Sequence, residues 1–145
     1  MNLNEYSQIY YQAAGSVVVH EGKVLVLERP GRGEVRLPKG HVEPGEDAGE
    51  TARRETGEES GYVSLEIVAD LGTQRHSFFN AYKNALVTRD NHFYLMQLTD
   101  AARQPGELQF TPAWLTPEEA EAKLTFEEER EFMRRAIRAL ASLDK

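Results

Sequence analysis

An α/β layered fold is predicted by three features of the chain. Stretches rich in β-branched and aliphatic residues flank an acidic segment with helical spacing around residue 50. An amphipathic helical pattern follows them toward the C-terminus, and no repeat, low-complexity tract or interdomain linker interrupts the order. At 145 residues the chain is long enough to bury a core without staples, so residues 1–145 are expected to form one domain.

The elements follow in order. After a polar N-terminal arm, Ala14 to His20 and Lys23 to Arg29 read as two strands of a hairpin turning at Glu21-Gly22. Pro30 to Gly33 is a loop, Val35 to Leu37 a short extended piece, and Pro38 to Pro44 a second loop. Asp47 with Glu50 three residues on resembles a capping box, placing a helix from near Asp47 to near Gly61. Gly49 and Gly57 lie inside it and each costs about 1 kcal/mol relative to alanine, so this helix is expected to depend on tertiary packing and bound metal. Val63 to Gly72 reads as a strand, and Ala85 to Thr88 and His92 to Leu98 as strands around a turn at Arg89-Asp90-Asn91. Thr116-Pro117-Glu118-Glu119 carries a capping hydroxyl, a proline at the first helical position and a glutamate at the third, which marks a short helix through Lys123. Thr125 with Glu128 is read as the cap of a final helix, whose Phe132, Met133, Ala136, Ile137, Leu140 and Leu143 form a core stripe.

Composition narrows the function. The chain has no cysteine, so a disulfide framework and a thiolate metal site are both excluded. No apolar run approaches the roughly 20 residues that span a bilayer, and the start MNLNEYSQIYYQ lacks the basic and apolar regions of a signal peptide, so a soluble cytoplasmic protein without membrane association is expected. A net charge of -7 argues against a broad nucleic-acid surface. An acidic protein acting on an anionic small molecule needs bridging cations.

The segment Gly40 to Tyr62 supplies a place for them. Glu55, Glu58 and Glu59 stand at i, i+3 and i+4, on one face of the expected helix. Like charges so placed repel by roughly 0.2–0.5 kcal/mol per pair, and a hard divalent cation offsets that repulsion. The acidic run Glu127 to Glu129 with Glu131 reads differently, as acids favoured by a helix N-terminus. Arg54 reaches Glu58 at i+4 and is expected to orient the acidic cluster, with Glu46 in support.

The spacing of Gly40, Glu46, Arg54-Glu55, Glu58-Glu59 and Gly61 resembles the signature of the Nudix hydrolases. Thr56 stands where that family is usually aliphatic, and Tyr62 fills a second such position with an aromatic. The resemblance implies an α/β/α sandwich with a central mixed sheet. It also implies a Mg²⁺- or Mn²⁺-dependent pyrophosphohydrolase in which Glu55, Glu58 and Glu59 bind metal and a carbonyl of the Lys39-Gly40 turn completes the coordination. A metal-bound water is the expected nucleophile. Glu55 is the first candidate for its base, and Glu107 is the candidate base and further ligand outside the box.

Lys39 is expected either to touch a phosphate or to be a solvated loop lysine. His41 is expected either at the substrate or bonded within its loop. The phrase LPKGHVEPGE is similar to the form seen in Nudix hydrolases of diadenosine polyphosphates and of diphosphoinositol polyphosphates. Phe78 stands where the dinucleoside polyphosphate branch is expected to carry a stacking aromatic, with Phe79 and Tyr82 close by, although the same rings at strand spacing suit a core. Ser77 replaces the proline expected in ADP-ribose hydrolases. AWLTPEEAEAKLTF resembles the diadenosine tetraphosphate branch, with Trp114 expected to be buried. Arg29, Arg75 and Lys83 are expected at outer phosphates or simply at the surface.

The leading expectation is hydrolysis of a diadenosine polyphosphate by a monomer or homodimer. Alternatives are a nucleoside triphosphate pyrophosphohydrolase, an RNA 5′-end pyrophosphohydrolase, a diphosphoinositol polyphosphate hydrolase and a nucleotide-binding sensor without turnover. The intact set of three glutamates argues against the sensor, and the low basic content against RNA.

Overall fold

A computed structural model describes residues 5–143. The first four residues of the N-terminal arm, on which part of the leader expectation rests, and residues 144–145 lie outside the described residues. Among the described residues seven strands form one mixed sheet: β1 (Ser7–His20), β2 (Lys23–Arg29), β3 (Glu34–Arg36), β4 (Lys39–His41), β5 (Leu65–Asn80), β6 (Ala85–Leu98) and β7 (Thr111–Leu115). Their order is β3-β2-β1-β6-β5, with β4 paired to β1 and β7 to β2. Only β1 with β6 runs parallel among the pairs; the rest are antiparallel. Three α-helices among the described residues cover the sheet: α1 (Ala48–Ser60), α2 (Pro117–Lys123) and α3 (Glu127–Leu143).

Strand alternation sends apolar side chains to both faces, which is why helices are needed on both. Val17, Val24, Val26, Phe93 and Leu95 pack with Phe132, Met133 and Ala136 of α3 and with Ala120 of α2. The intervening Val18, Leu25, Met96 and Leu98 join Ala14 and pack with Ala52 of α1. Phe93 and Phe132 stack at 4.3 Å between centroids.

The expected hairpin forms, with Glu21 and Gly22 both at positive φ, the conformation a tight two-residue turn demands. Four expectations are corrected. The first strand does not start at Ala14, because β1 begins at Ser7 and pairs with β6 from Ser7↔Ala85 onward. Arg89-Asp90-Asn91 is not a turn. Asp90 lies opposite Arg75 on β5 and accepts its Nε at 2.8 Å, with Tyr10 Oη donating at 2.6 Å, and these bonds hold a turn-forming residue inside a continuous strand. The loop from Pro38 contains β4, recruited by pairing with β1 rather than by propensity. Thr125 spends its hydroxyl on Val35 N at 2.9 Å, joining the start of α3 to β3. The strand β7 was not expected, since Pro112 interrupts its pattern; β7 has a single neighbour, where a missing N–H is tolerated.

The helix α1 begins as read, with Asp47 accepting from Glu50 N at 2.8 Å. It ends at Gly61, whose φ is 84° and whose absent Cβ leaves room for the Gln104 carbonyl. Gly61→Ala is therefore expected to lower the urea midpoint by an amount equivalent to about 2 kcal/mol. Thr56, at the position usually aliphatic, is fully buried and its hydroxyl meets Ser16 Oγ at 2.6 Å and Ala52 O at 2.6 Å. A serine on β1 thus satisfies the polar atom that the helix carries inward. At Gly49 and Gly57 a Cβ would stand 3.1 Å from Ile67 Cδ1 and 3.3 Å from Val63 Cγ1, tight contacts that a small shift of those side chains would have to relieve.

Candidate active site

Pairing of β4 with β1 sets Ala14 opposite Gly40, directly against α1. A Cβ on Gly40 would fall onto the Glu55 carboxylate, so that carboxylate packs against bare backbone. Gly40→Ala is expected to reduce turnover at least about 100-fold while the protein still folds, because misplacement by an ångström near a reacting centre has effects of that size. A steady-state assay beside a circular dichroism melt separates the two.

Arg54 organises the acidic side chains. Its Nε donates to Glu46 Oε2 at 2.7 Å, Nη1 to Glu55 Oε1 at 2.8 Å and to Glu58 Oε2 at 3.3 Å, and Nη2 to the His41 carbonyl at 3.1 Å. Glu46 also accepts from the Thr51 hydroxyl at 2.7 Å, and the Arg54 and Thr51 bonds hold its carboxyl at about 2. Among the described residues no three acidic or histidine side chains close on a common point, and Arg54 Nη1 lies between Glu55 and Glu58.

Glu59 differs from its neighbours by burial. It is 9 % exposed, accepts from Lys39 N at 2.9 Å, and burial with repulsion from Glu55 and Glu107 pushes its carboxyl up to about 8. Burial likewise raises Glu55, with Arg54 opposing and Glu58 and Glu107 adding to the rise. Glu107 sits on an exposed loop bound to the end of α1 by Gln104 N to Gly61 O at 2.9 Å and Arg103 Nε to Ser60 O at 2.7 Å. Gly106 packs on the Glu59-Ser60 backbone, which brings Glu107 within electrostatic reach of both carboxylates.

Lys39 is not a solvated loop residue. Its ammonium, with the side chain 9 % exposed, lies 3.1 Å from Glu129 Oε2. Glu129 is fully buried and its other oxygen accepts from Leu37 N at 2.6 Å. Sequence reasoning missed this role, and the only signal was a glutamate one turn before Phe132 and Met133 on the apolar face. The His41 ring stacks on Tyr11 at 4.1 Å. Phe78 is 36 % exposed on β5, with the Arg89 guanidinium 5.5 Å from its ring centroid. Tyr82 is fully exposed in the turn between β5 and β6. Along β1 the Ser7↔Ala85 pair near that turn lies seven residues from Ala14, which faces Gly40, or roughly 23 Å. Phe79 is also exposed. Trp114 is half-buried rather than buried, its Nε1 donating to Tyr62 Oη at 3.2 Å. Arg75 is committed to Asp90, Arg29 lies over the Phe110 ring, and Lys83 stands exposed in the turn with Tyr82.

The NUDIX domain family model matches residues 10–136. The chain belongs to the Nudix family. It is 33% identical over 105 residues to a Mycobacterium tuberculosis protein described as "Putative mutator protein MutT4", covering 72% of this chain and 41% of that one. It is 32% identical over 100 residues to a Lactococcus lactis protein described as "Probable DHNTP pyrophosphohydrolase", covering 68% of this chain and 60% of that one. The chain thus spans less than two thirds of the length of either curated relative. The Nudix fold is shared with the crystal structure of a C. elegans Ap4A hydrolase binary complex, at a TM-score of 0.72 and 24% identity over 91% of this chain and 98% of that one. It is shared also with the E. coli dihydroneopterin triphosphate pyrophosphohydrolase, at a TM-score of 0.71 and 20% identity over 88% of this chain and 96% of that one. Among the described residues no helix is long and apolar enough to cross a membrane.

Proposed function

We propose that this Nudix protein is a Mg²⁺-dependent pyrophosphohydrolase that opens a phosphoric anhydride bond by attack of water on phosphorus, with diadenosine polyphosphates as its substrates. The observation that carries the reading is the buried Glu59 beside Glu55 at the end of a glycine loop, both carboxyls raised first by burial and then by neighbouring carboxylates, Glu55 and Glu107 for Glu59 and Glu58 and Glu107 for Glu55. Such a pair favours either a proton or a hard cation, and oxygen donors of this kind suit Mg²⁺ or Mn²⁺. The ion would be held by Glu55, Glu58 and Glu59, with a carbonyl of the Lys39-Gly40 turn, and with Glu107 from the loop. When bound it supplies charge neutralisation for the phosphates and a water of lowered pKa.

The remaining work falls to the chain. Arg54, anchored by Glu46, fixes the Glu55 carboxylate. Glu55, held against Gly40, accepts the proton of the attacking water, and Glu107 is the second candidate for that role. The stacked His41 and Tyr11 rings border the same loop and offer a face to a base. Phe78 offers another, backed by Arg89.

The Lactococcus relative favours a second reading, a triphosphate pyrophosphohydrolase. Purified protein with Mg²⁺ is incubated with diadenosine polyphosphates, nucleoside triphosphates, ADP-ribose and a diphosphoinositol polyphosphate, and products are resolved by anion exchange. Release of ATP from diadenosine tetraphosphate well above the other rates is expected. Pyrophosphate released preferentially from a triphosphate would move the substrate to the second reading, and metal-dependent binding without products would replace both by a sensor.

A further inference from the structure

Beside Lys39 lies a cavity of about 200 Å³ lined by Arg32, Glu34, Arg36, Lys39, Arg89 and Phe126. Four cations against one carboxylate is the reverse of the balance of the chain as a whole. Carboxylates outside the lining take up two of the cations: Glu129 holds Lys39, and Glu128 holds Arg89 Nη2 at 2.7 Å. Arg32 and Arg36 have no ion-pair partner among the described residues. The buried Nε atoms of Arg36 and Arg89 have no hydrogen-bond partner, nor has Glu34 Oε1. Buried polar atoms without partners are uncommon, and these three belong to residues that line one cavity.

The guanidiniums are also held in place. Arg36 lies over the rings of Phe110 and Phe126, at 5.9 and 5.7 Å from their centroids, and Arg89 lies over Phe78. Pre-positioned planar donors match the oxygens of a phosphoryl group, and each such contact lacks the ordering cost of a free arginine. Lys39 connects the cavity to the acidic helix, since its backbone N–H meets Glu59 and the residue lines the cavity.

We propose that Arg36 and Arg89, with Arg32 at the rim, bind a phosphoryl group of the substrate beyond the bond that is cut, so that the preferred substrate carries a linear chain of several phosphates. The proposal rests on the hydrolase reading only in placing the scissile bond at Glu59. Its test is independent of turnover. Binding of inorganic tripolyphosphate to the full chain in EDTA is measured by calorimetry for the wild type, Arg36→Gln, Arg32→Gln and, as a control at an exposed helix position, Arg138→Gln. The expected result is saturable binding that weakens about 10-fold or more in Arg36→Gln and about 3-fold in Arg32→Gln, with Arg138→Gln unchanged. Arg32 is exposed, so its variant reads the site even where loss of Arg36 disturbs folding. Absence of binding to the wild type, or equal binding by all four proteins, overturns the proposal. Tighter, Arg36-dependent binding of inositol hexakisphosphate than of tripolyphosphate overturns the linear chain in favour of a phosphorylated ring. A protein that binds tripolyphosphate in this manner yet hydrolyses nothing in the substrate panel would end the hydrolase reading and leave the site standing.

Discussion

Glu59→Gln is expected to lower turnover by at least about 1,000-fold and, in the absence of metal, to stabilise the protein above pH 7. The first effect follows from losing a charged group proposed to hold the metal, and the electrostatic stabilisation that depends on it. The second follows from burial. A carboxyl raised from 4.5 to about 8 in the folded state binds protons there that the unfolded chain has already lost. Folding stability therefore falls as pH rises through the window from 4.5 to 8, and the whole cost is present above it. At about 1.4 kcal/mol per unit, glutamine at this position removes a penalty on the order of 4 kcal/mol at pH 8. Its amide oxygen still accepts from Lys39 N, so the loop keeps its anchor. Glu58, whose side chain is 50% exposed, provides the contrast. Glu58→Gln is expected to lose turnover by orders of magnitude with its melting curve unchanged. Thermal melts in EDTA from pH 5 to 9, paired with saturating Mg²⁺ assays, check both; full activity in the two variants would refute the metal assignment.

Glu129→Ala is expected to destabilise the protein by about 3–5 kcal/mol, the range for removing one partner of a buried ion pair. The truncation leaves the Lys39 ammonium in a site with 9 % exposure and leaves Leu37 N, now 2.6 Å from Glu129 Oε1, without an acceptor. Glu129→Gln keeps an acceptor for Leu37 N and should cost less. In the double variant Lys39→Met with Glu129→Gln much of the loss should return, because no buried charge is left unpaired. Urea unfolding of the wild type, Glu129→Ala, Glu129→Gln, Lys39→Met and the double variant reads this directly. Additive losses in the double variant would show that the pair contributes no coupling. Since Lys39 also delivers its backbone N–H to Glu59, loss of Glu129 is expected to reduce turnover even in the fraction that remains folded.

What was legible in the sequence divides by the range of the interaction. The helix α1, its Asp47 cap and the Glu21-Gly22 turn are local, and spacing with capping chemistry identified them. The capping box at Thr116 is equally local and forms as read. The strand β4 and the unbroken run of β6 through Asp90 depend on partners far along the chain, Gly15 in one case and Tyr10 and Arg75 in the other. The hydroxyl of Thr125 had a plausible local partner but takes a distant one, Val35 N. Within the candidate site, the helical face of Glu55, Glu58 and Glu59 and the bond from Arg54 to Glu58 could be read from i, i+3 and i+4 positions. The difference in burial among the three glutamates could not, because it comes from β4 and the Gly106 loop closing over Glu59. Nor could the Lys39–Glu129 pair, whose members are 90 residues apart.

The most direct test of the central claim, that this carboxylate cluster holds a divalent cation, is a titration of the full chain with Mn²⁺ followed by electron paramagnetic resonance. Wild-type protein is expected to bind Mn²⁺ with competition by Mg²⁺, and Glu59→Gln and Glu58→Gln to weaken that binding at least about 10-fold, as expected for loss of a charged oxygen ligand. Binding of equal strength in the wild type and both variants would place the ion elsewhere and contradict the account.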